Sequence, residues 1–171
     1  MPKILVADPI GAEGVDLLKA HAEVDVKTGM DPQDLLAIIG DYEGLVVRSE
    51  TKVTKEVIEQ AKKLQVVGRA GIGVDNIDLE SATAAGIAVV NAPTGNTVAA
   101  AEHTMALMLA LSRNVPFAHQ SLKSGEWKRS AFMGVEVRAK TLGVCGLGRV
   151  GSEVAQRAQS FNMRLVGYDP F

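Results

Sequence analysis

The run Leu142-Gly143-Val144-Cys145-Gly146-Leu147-Gly148-Arg149-Val150-Gly151 decides how this chain is read. An apolar stretch ends at Cys145, and three glycines follow with the spacing G-x-G-x-x-G. Alone, that spacing is a weak signal. Its surroundings strengthen it. Thr141–Cys145 reads as a strand. Val150, Val154, Ala155 and Ala158 share one face of a helix from about Arg149 to Ser160. Arg164–Tyr168 reads as a second strand, closed by Asp169.

Each piece has a mechanical reason. Gly146 permits a tight strand-to-helix turn, Gly148 leaves room for a ligand against the backbone, and Gly151 lets helix and strand pack closely. The freed amides of the helix start, with the helix dipole, attract an anion such as a pyrophosphate. Asp169 would accept hydrogen bonds from ribose hydroxyls and repel a 2′-phosphate, so the expected cofactor is NAD rather than NADP. The competing reading is a glycine-rich turn with no ligand.

Upstream, short apolar runs alternate with amphipathic stretches. Strands are expected at Ile4–Ala7, Val24–Val26, Leu45–Val47, Leu64–Val67 and Ile87–Val90. Helices are expected around Val15–Leu18, after Asp31-Pro32, after Thr54 and from Asp78 to Gly86. Five β-α steps of this kind predict a parallel sheet covered on both faces. Asn91-Ala92-Pro93-Thr94-Gly95-Asn96 concentrates turn residues and reads as a domain boundary. Asn96 is expected to cap a long helix, apolar on most sides and therefore buried in a core or against another subunit, that Pro116 ends or kinks. Ser121–Phe132 is expected to be irregular or weakly helical.

A second glycine cluster, Gly68-Arg69-Ala70-Gly71-Ile72-Gly73, follows the fourth strand, and Arg48-Ser49 follows the third. Two arginines and a glycine loop at the carboxyl edge of a parallel sheet suit a carboxylate or phosphate. The plainer reading makes both arginines solvated strand ends.

Composition narrows the classes further. The 171 residues carry 18 basic and 20 acidic side chains, a net charge of −2, which offers no electrostatic footprint for nucleic acid. The single Cys145 excludes a disulfide framework and a thiolate zinc site, and no metal site is expected. Cys145 itself reads as a small buried residue. No apolar run approaches the roughly 20 residues of a membrane span. The expected setting is reducing and cytoplasmic. His21 and His119 read as surface residues and His103 as packed or at a subunit contact.

In combination these stretches resemble the D-isomer-specific 2-hydroxyacid dehydrogenases. The resemblance is carried by Gly68–Asp78, Asn91–Asn96, Ala100–Thr104 and Gly143–Gly151, with Val47-Arg48-Ser49 and Gly167-Tyr168-Asp169-Pro170 in support. It implies two α/β domains with an active cleft between them. Residues 1–95 would form the N-terminal part of a flavodoxin-like, parallel-sheet substrate domain. Residues 96–171 would begin a Rossmann nucleotide-binding domain that is incomplete at Phe171, so the chain is expected to be truncated. Arg48, Ser49, Arg69, Gly71, Ile72, Gly73 and Asn96 would bind substrate. Ile72, Gly146, Gly148, Arg149, Val150, Gly151 and Asp169 would bind NAD. The implied reaction is oxidation of 3-phospho-D-glycerate to 3-phosphohydroxypyruvate, a step of serine biosynthesis. Glyoxylate, formate and lactate dehydrogenases, or an NAD-binding corepressor-like module, are the alternatives. The family's catalytic arginine, glutamate and histidine have no match here, so no catalytic residue is assigned and the chain alone is expected to lack turnover. An open strand edge at 164–168 and an uncovered apolar helix would favour a homo-oligomer.

Overall fold

The computed structural model of the protein describes residues 1–171. The chain divides into two compact units, Met1–Gly95 and Asn96–Phe171. The first holds five strands: β1 (Lys3–Val6), β2 (Glu23–Val26), β3 (Gly44–Val47), β4 (Val66–Arg69) and β5 (Ala88–Asn91). They pair in parallel in the order β2-β1-β3-β4-β5. Helices α1 (Ala12–Lys19), α2 (Pro32–Ile38), α3 (Lys55–Gln60) and α4 (Leu79–Ala84) connect them. The parallel α/β sheet is what the alternation predicts, and its strand order is the flavodoxin-like one that the resemblance implies.

Register explains where the core sits. Leu5 pairs with Leu45, Leu45 with Val67 and Val67 with Val89, so one apolar row crosses four strands. Leu5, Leu45 and Val67 are fully buried against Leu35, Val57, Ile58 and Ala82 from α2, α3 and α4. Each such side chain contributes about 1.5–3 kcal/mol. The other face is less covered than expected. Helix α1 buries no residue, and Val26 and Val90 are exposed.

Several local expectations need correction. Strand β4 begins at Val66 rather than Leu64, because Leu64 is drawn into the core at the end of the α3 turn. Asp31, Thr54 and Asn96 make no side-chain cap, whereas Asp78 accepts a hydrogen bond from the Ser81 amide at 2.9 Å.

The second unit opens with α5 (Thr97–Ser112), which buries Ala101 and Met105 but leaves Leu107 and Leu111 exposed. Within this chain it buries one side and leaves an apolar side exposed. His103 is exposed rather than packed. The helix ends before Pro116: Asn114 adopts a left-handed conformation (φ 52°), and Pro116 lies in the first turn of a new helix, α6 (Val115–Lys123). A proline fits there because no intrahelical amide bond is lost. The stretch expected to be irregular or weakly helical is helical only to Lys123 and again in a 3-10 turn at Arg129–Phe132.

The α6 segment returns to its starting point. The Val135 amide donates to the Ser112 carbonyl at 2.8 Å, and Asn114 Nδ2 donates to the Met133 carbonyl at 3.2 Å. A Cβ on Gly134 would collide with the Ser112 carbonyl oxygen, so only glycine allows this approach.

Strands β6 (Thr141–Cys145) and β7 (Arg164–Tyr168) pair in parallel and are joined by α7 (Arg149–Ser160). Ala101 and Met105 meet Val154 and Ala158, with Leu142 and Leu165 packed against them. Arg157 reinforces this contact, pairing with Glu153 on its own helix and with Glu102 on α5 at 3.6 Å. Cys145 is exposed, not buried, since it lies on the sheet face opposite Leu142 and Val144.

Leu45→Ala should lower the unfolding free energy by about 2–5 kcal/mol, whereas Val90→Ala should change it by less than about 0.5 kcal/mol. Urea denaturation of the two variants checks both values.

Candidate functional site

In the first unit the groups singled out by sequence collect at the carboxyl ends of β3 and β4. This is the edge where open parallel sheets bind ligands. The order of strands changes direction between β1 and β3, and Asp8 follows β1 at that point. Asp8 is 1% exposed and is the only buried charged residue. Its Oδ2 accepts from the Arg48 amide at 2.6 Å and the Glu50 amide at 3.2 Å. The Thr51 amide lies 3.1 Å from both oxygens, and the Thr51 hydroxyl donates to Oδ1 at 2.5 Å.

The carbonyls of the same turn are held from the other direction. Arg48 O accepts from Arg69 Nε at 2.9 Å and from Asn76 Nδ2 at 3.0 Å. Asn76 Nδ2 also reaches Thr51 O at 2.7 Å. Arg69 is therefore no simple solvated strand end. Its guanidinium lies over Gly71, where a Cβ would overlap it. Ile72 is half-buried, and its carbonyl accepts from Asn91 Nδ2 at 2.5 Å. Gly73 faces solvent. Arg48 and Ser49 are exposed, and the Arg48 guanidinium has no hydrogen-bond partner within the chain. A fixed turn with an uncommitted guanidinium can receive a carboxylate or phosphate. Asn96 lies in the second unit at the start of α5, where its carbonyl accepts from the Ala100 amide at 2.8 Å.

A cavity of about 580 Å³ borders the same edge, lined by Asp8, Met30, Leu35, Thr51, Lys52 and Val57 among others. None of the sequence-selected anion-binding residues lines it.

In the second unit, Gly146 has φ +93°, a conformation that side chains disfavour. Its amide donates to Tyr168 O at 2.7 Å and extends the β6–β7 ladder by one bond. A Cβ on Gly151 would collide with the Gly146 carbonyl oxygen, while one on Gly148 would meet nothing within 4 Å. The first position demands glycine for packing; the second leaves open space at the start of α7. A concavity of about 500 Å³ lies there, lined by Gly146, Gly148, Arg149, Gly151 and Thr104 among others. Val150 packs against the α5–α7 core and also borders this concavity.

Asp169 closes the loop. Its Oδ2 accepts from the Leu147 amide at 2.5 Å and its Oδ1 from the Phe171 amide at 3.0 Å. The Ser152 hydroxyl donates to the Leu147 carbonyl at 2.7 Å. Leu147 is thus held at both ends of its peptide unit. An open glycine turn, the amides of a helix start and a carboxylate at the end of the second strand make a donor and acceptor set that fits a dinucleotide.

The family profile described as D-isomer specific 2-hydroxyacid dehydrogenase, catalytic domain, matches residues 4–164. The chain belongs to this family. It is 55% identical over 170 residues to the D-3-phosphoglycerate dehydrogenase of Archaeoglobus fulgidus, covering 99% of this chain and 32% of that protein. Among solved structures it is similar to the NAD-bound 3-phosphoglycerate dehydrogenase of Entamoeba histolytica. There the TM-score is 0.78 at 32% identity, over 99% of this chain and 54% of the other. It is also similar to the NAD complex of a formate dehydrogenase from Staphylococcus aureus. In that case the TM-score is 0.83 at 31% identity, over 99% and 56% of the two chains. The chain spans about a third of the length of the curated relatives it matches.

Among the loop-holding groups of this chain, Asp8, Asn76 and Ser152 are not singled out as site residues by sequence reasoning. No local pattern marks them, since each acts on backbone that only the folded sheet brings near.

Burial pushes the Asp8 carboxyl up, but its hydrogen bonds from Thr51, Arg48 and Glu50 outweigh this, and its pKa lies below the ordinary 3.8. The Phe171 and Leu147 amides likewise hold Asp169 below that value. A depressed folded-state pKa gives stability that is complete above the unfolded value and lost as pH falls through the folded one. The stability advantage of wild type over Asp8→Asn should therefore be constant near neutral pH and shrink as pH drops below about 4. Thermal midpoints of the two proteins across pH 2–7 (a range of about five units) test this.

Proposed function

We propose that the chain supplies the substrate- and NAD-binding residues of an NAD-dependent enzyme that oxidises 3-phospho-D-glycerate to 3-phosphohydroxypyruvate in serine biosynthesis. The observation that carries this reading is the pair of held loops, 48–51 and 146–148, each presenting groups suited to an anionic ligand. The 55% identity to the D-3-phosphoglycerate dehydrogenases of Archaeoglobus fulgidus and Methanocaldococcus jannaschii supports the phosphorylated substrate.

In this reading residues 1–95 are the substrate part and residues 96–171 the nucleotide part. Arg48, Ser49, Arg69, the backbone of Gly71, Ile72 and Gly73, and the Asn96 carboxamide bind the carboxylate and phosphate. Gly146, Gly148, Gly151 and the amides of Arg149 and Val150 cradle the diphosphate of NAD, and Asp169 receives the ribose hydroxyls with its remaining lone pairs. Ile72 offers its side chain to the nicotinamide end. NAD, when bound, supplies the hydride acceptor. These residues bind and orient. None is placed to move the hydroxyl proton.

Calorimetry should show NAD binding tighter than NADP by about tenfold or more. The basis is a like-charge contact of about 1–4 kcal/mol between the Asp169 carboxylate and a 2′-phosphate. Asp169→Asn should narrow that ratio. Arg48→Gln should weaken 3-phosphoglycerate binding by about tenfold, the loss of one charge-assisted hydrogen bond. NADH absorbance should not rise when the chain is mixed with NAD and 3-phosphoglycerate. Equal affinity for both dinucleotides, or substrate binding indifferent to Arg48, would remove the reading.

The reading also includes self-association through the second unit. There Leu107, Leu111, Phe117 and Trp127 are 57%, 79%, 62% and 72% exposed, large apolar side chains suited to a contact between copies of the chain. Size-exclusion chromatography with light scattering should give at least a dimer, and Leu111→Lys with Phe117→Lys should shift it to monomer.

A further inference from the structure

Asp8 poses a physical problem. A carboxylate taken out of water costs several kcal/mol unless its lone pairs are filled. The neighbours in sequence, Leu5, Val6 and Ala7, are fully buried apolar residues, so an apolar side chain would suit this position for packing alone. What the carboxylate does instead is specific. Every donor it accepts from belongs to the segment 48–51, about forty residues away in sequence. The hydrogen bonds from Arg69 and Asn76 take up the carbonyls of Arg48 and Thr51. The backbone of the turn is thereby committed on both sides, while the Arg48 guanidinium and the Ser49 hydroxyl are left uncommitted.

We infer that Asp8 is a positioning residue: it fixes the 48–51 turn so that Arg48 and Ser49 are presented in one orientation to an anionic ligand. The inference rests on the proposed substrate reading for what the anion is. Asp8 does not touch the ligand. It acts through three backbone amides and the Thr51 hydroxyl, and it lowers the entropy that Arg48 and Ser49 lose on binding. Asn76 completes the arrangement by tying both ends of the turn to the segment after β4.

The test compares wild type, Asp8→Asn and Thr51→Val in the 171-residue chain. Ile87→Ala serves as a core variant destabilised away from the turn. Two measurements are made: amide hydrogen exchange at residues 48–51, and the dissociation constant for 3-phosphoglycerate with inorganic phosphate as a second probe. Asp8→Asn keeps the shape but loses the charge and one acceptor. It should raise exchange at 48, 50 and 51 by about tenfold or more and weaken binding by a similar factor. Thr51→Val removes a single donor and should act in the same direction by about threefold. Ile87→Ala should lower the thermal midpoint yet leave the turn's relative protection and the affinity unchanged. Exchange at 48–51 and affinity that track the midpoint alike in all variants would overturn the inference, because Asp8 would then be structural only. Should the wild-type chain bind neither probe, the substrate reading fails. The exchange comparison still decides the role of Asp8, with faster exchange confined to 48–51 supporting it and unchanged exchange overturning it.

Discussion

A parallel strand leaves its last peptide groups without ladder partners, and the chain must turn there into the next helix. Those peptide groups need hydrogen bonds from somewhere, because buried ones left unpaired are costly. In both units this chain meets the need in one way: a carboxylate placed after one strand accepts the amides of the turn after the adjacent strand. Asp8 follows β1 and holds the turn after β3; Asp169 follows β7 and holds the turn after β6. The proposed anion-binding groups Arg48, Ser49 and the helix-start amides stand on or beside these two turns.

The consequence for function is a separation of tasks. The carboxylates and their companions Asn76 and Ser152 consume the backbone groups of the turns. Arg48 and Ser49 in one unit, and the helix-start amides in the other, are the groups suited to an anion. Organisation that precedes the ligand reduces what binding must order. Glycine serves this at two positions for opposite reasons: Gly151 because a carbonyl presses on it, Gly148 because nothing does.

Much of this is legible in sequence. The strand–turn–helix–strand at 141–169 follows from apolar runs and glycine spacing, and its helix and strand limits match the structure. The five β-α steps are equally clear, since each apolar run is short and bounded by turn residues. The hidden part depends on contacts distant in sequence. Asp8 sits in an unremarkable Ala-Asp-Pro run, and only the β1–β3 pairing brings it to residue 48. The exposure of Cys145 depends on which face of β6 is covered, and strand periodicity alone does not say. Pro116, the obvious breaker, suggests itself as the end of α5; the left-handed residue is Asn114, and the proline sits in the first turn of α6.

The pinned base of the α6 excursion bears on how such a chain can diversify. Residues 113–135 leave and rejoin the body at nearly one point, closed by the Val135 and Asn114 hydrogen bonds and by the bare Cα of Gly134. The pairing of β6 with β7 and the packing of α5 on α7 are made by residues outside that closure. Changes in length within that closure leave the pairing of β6 with β7 untouched, while changes at Phe117 or Trp127 alter the surface proposed for self-association.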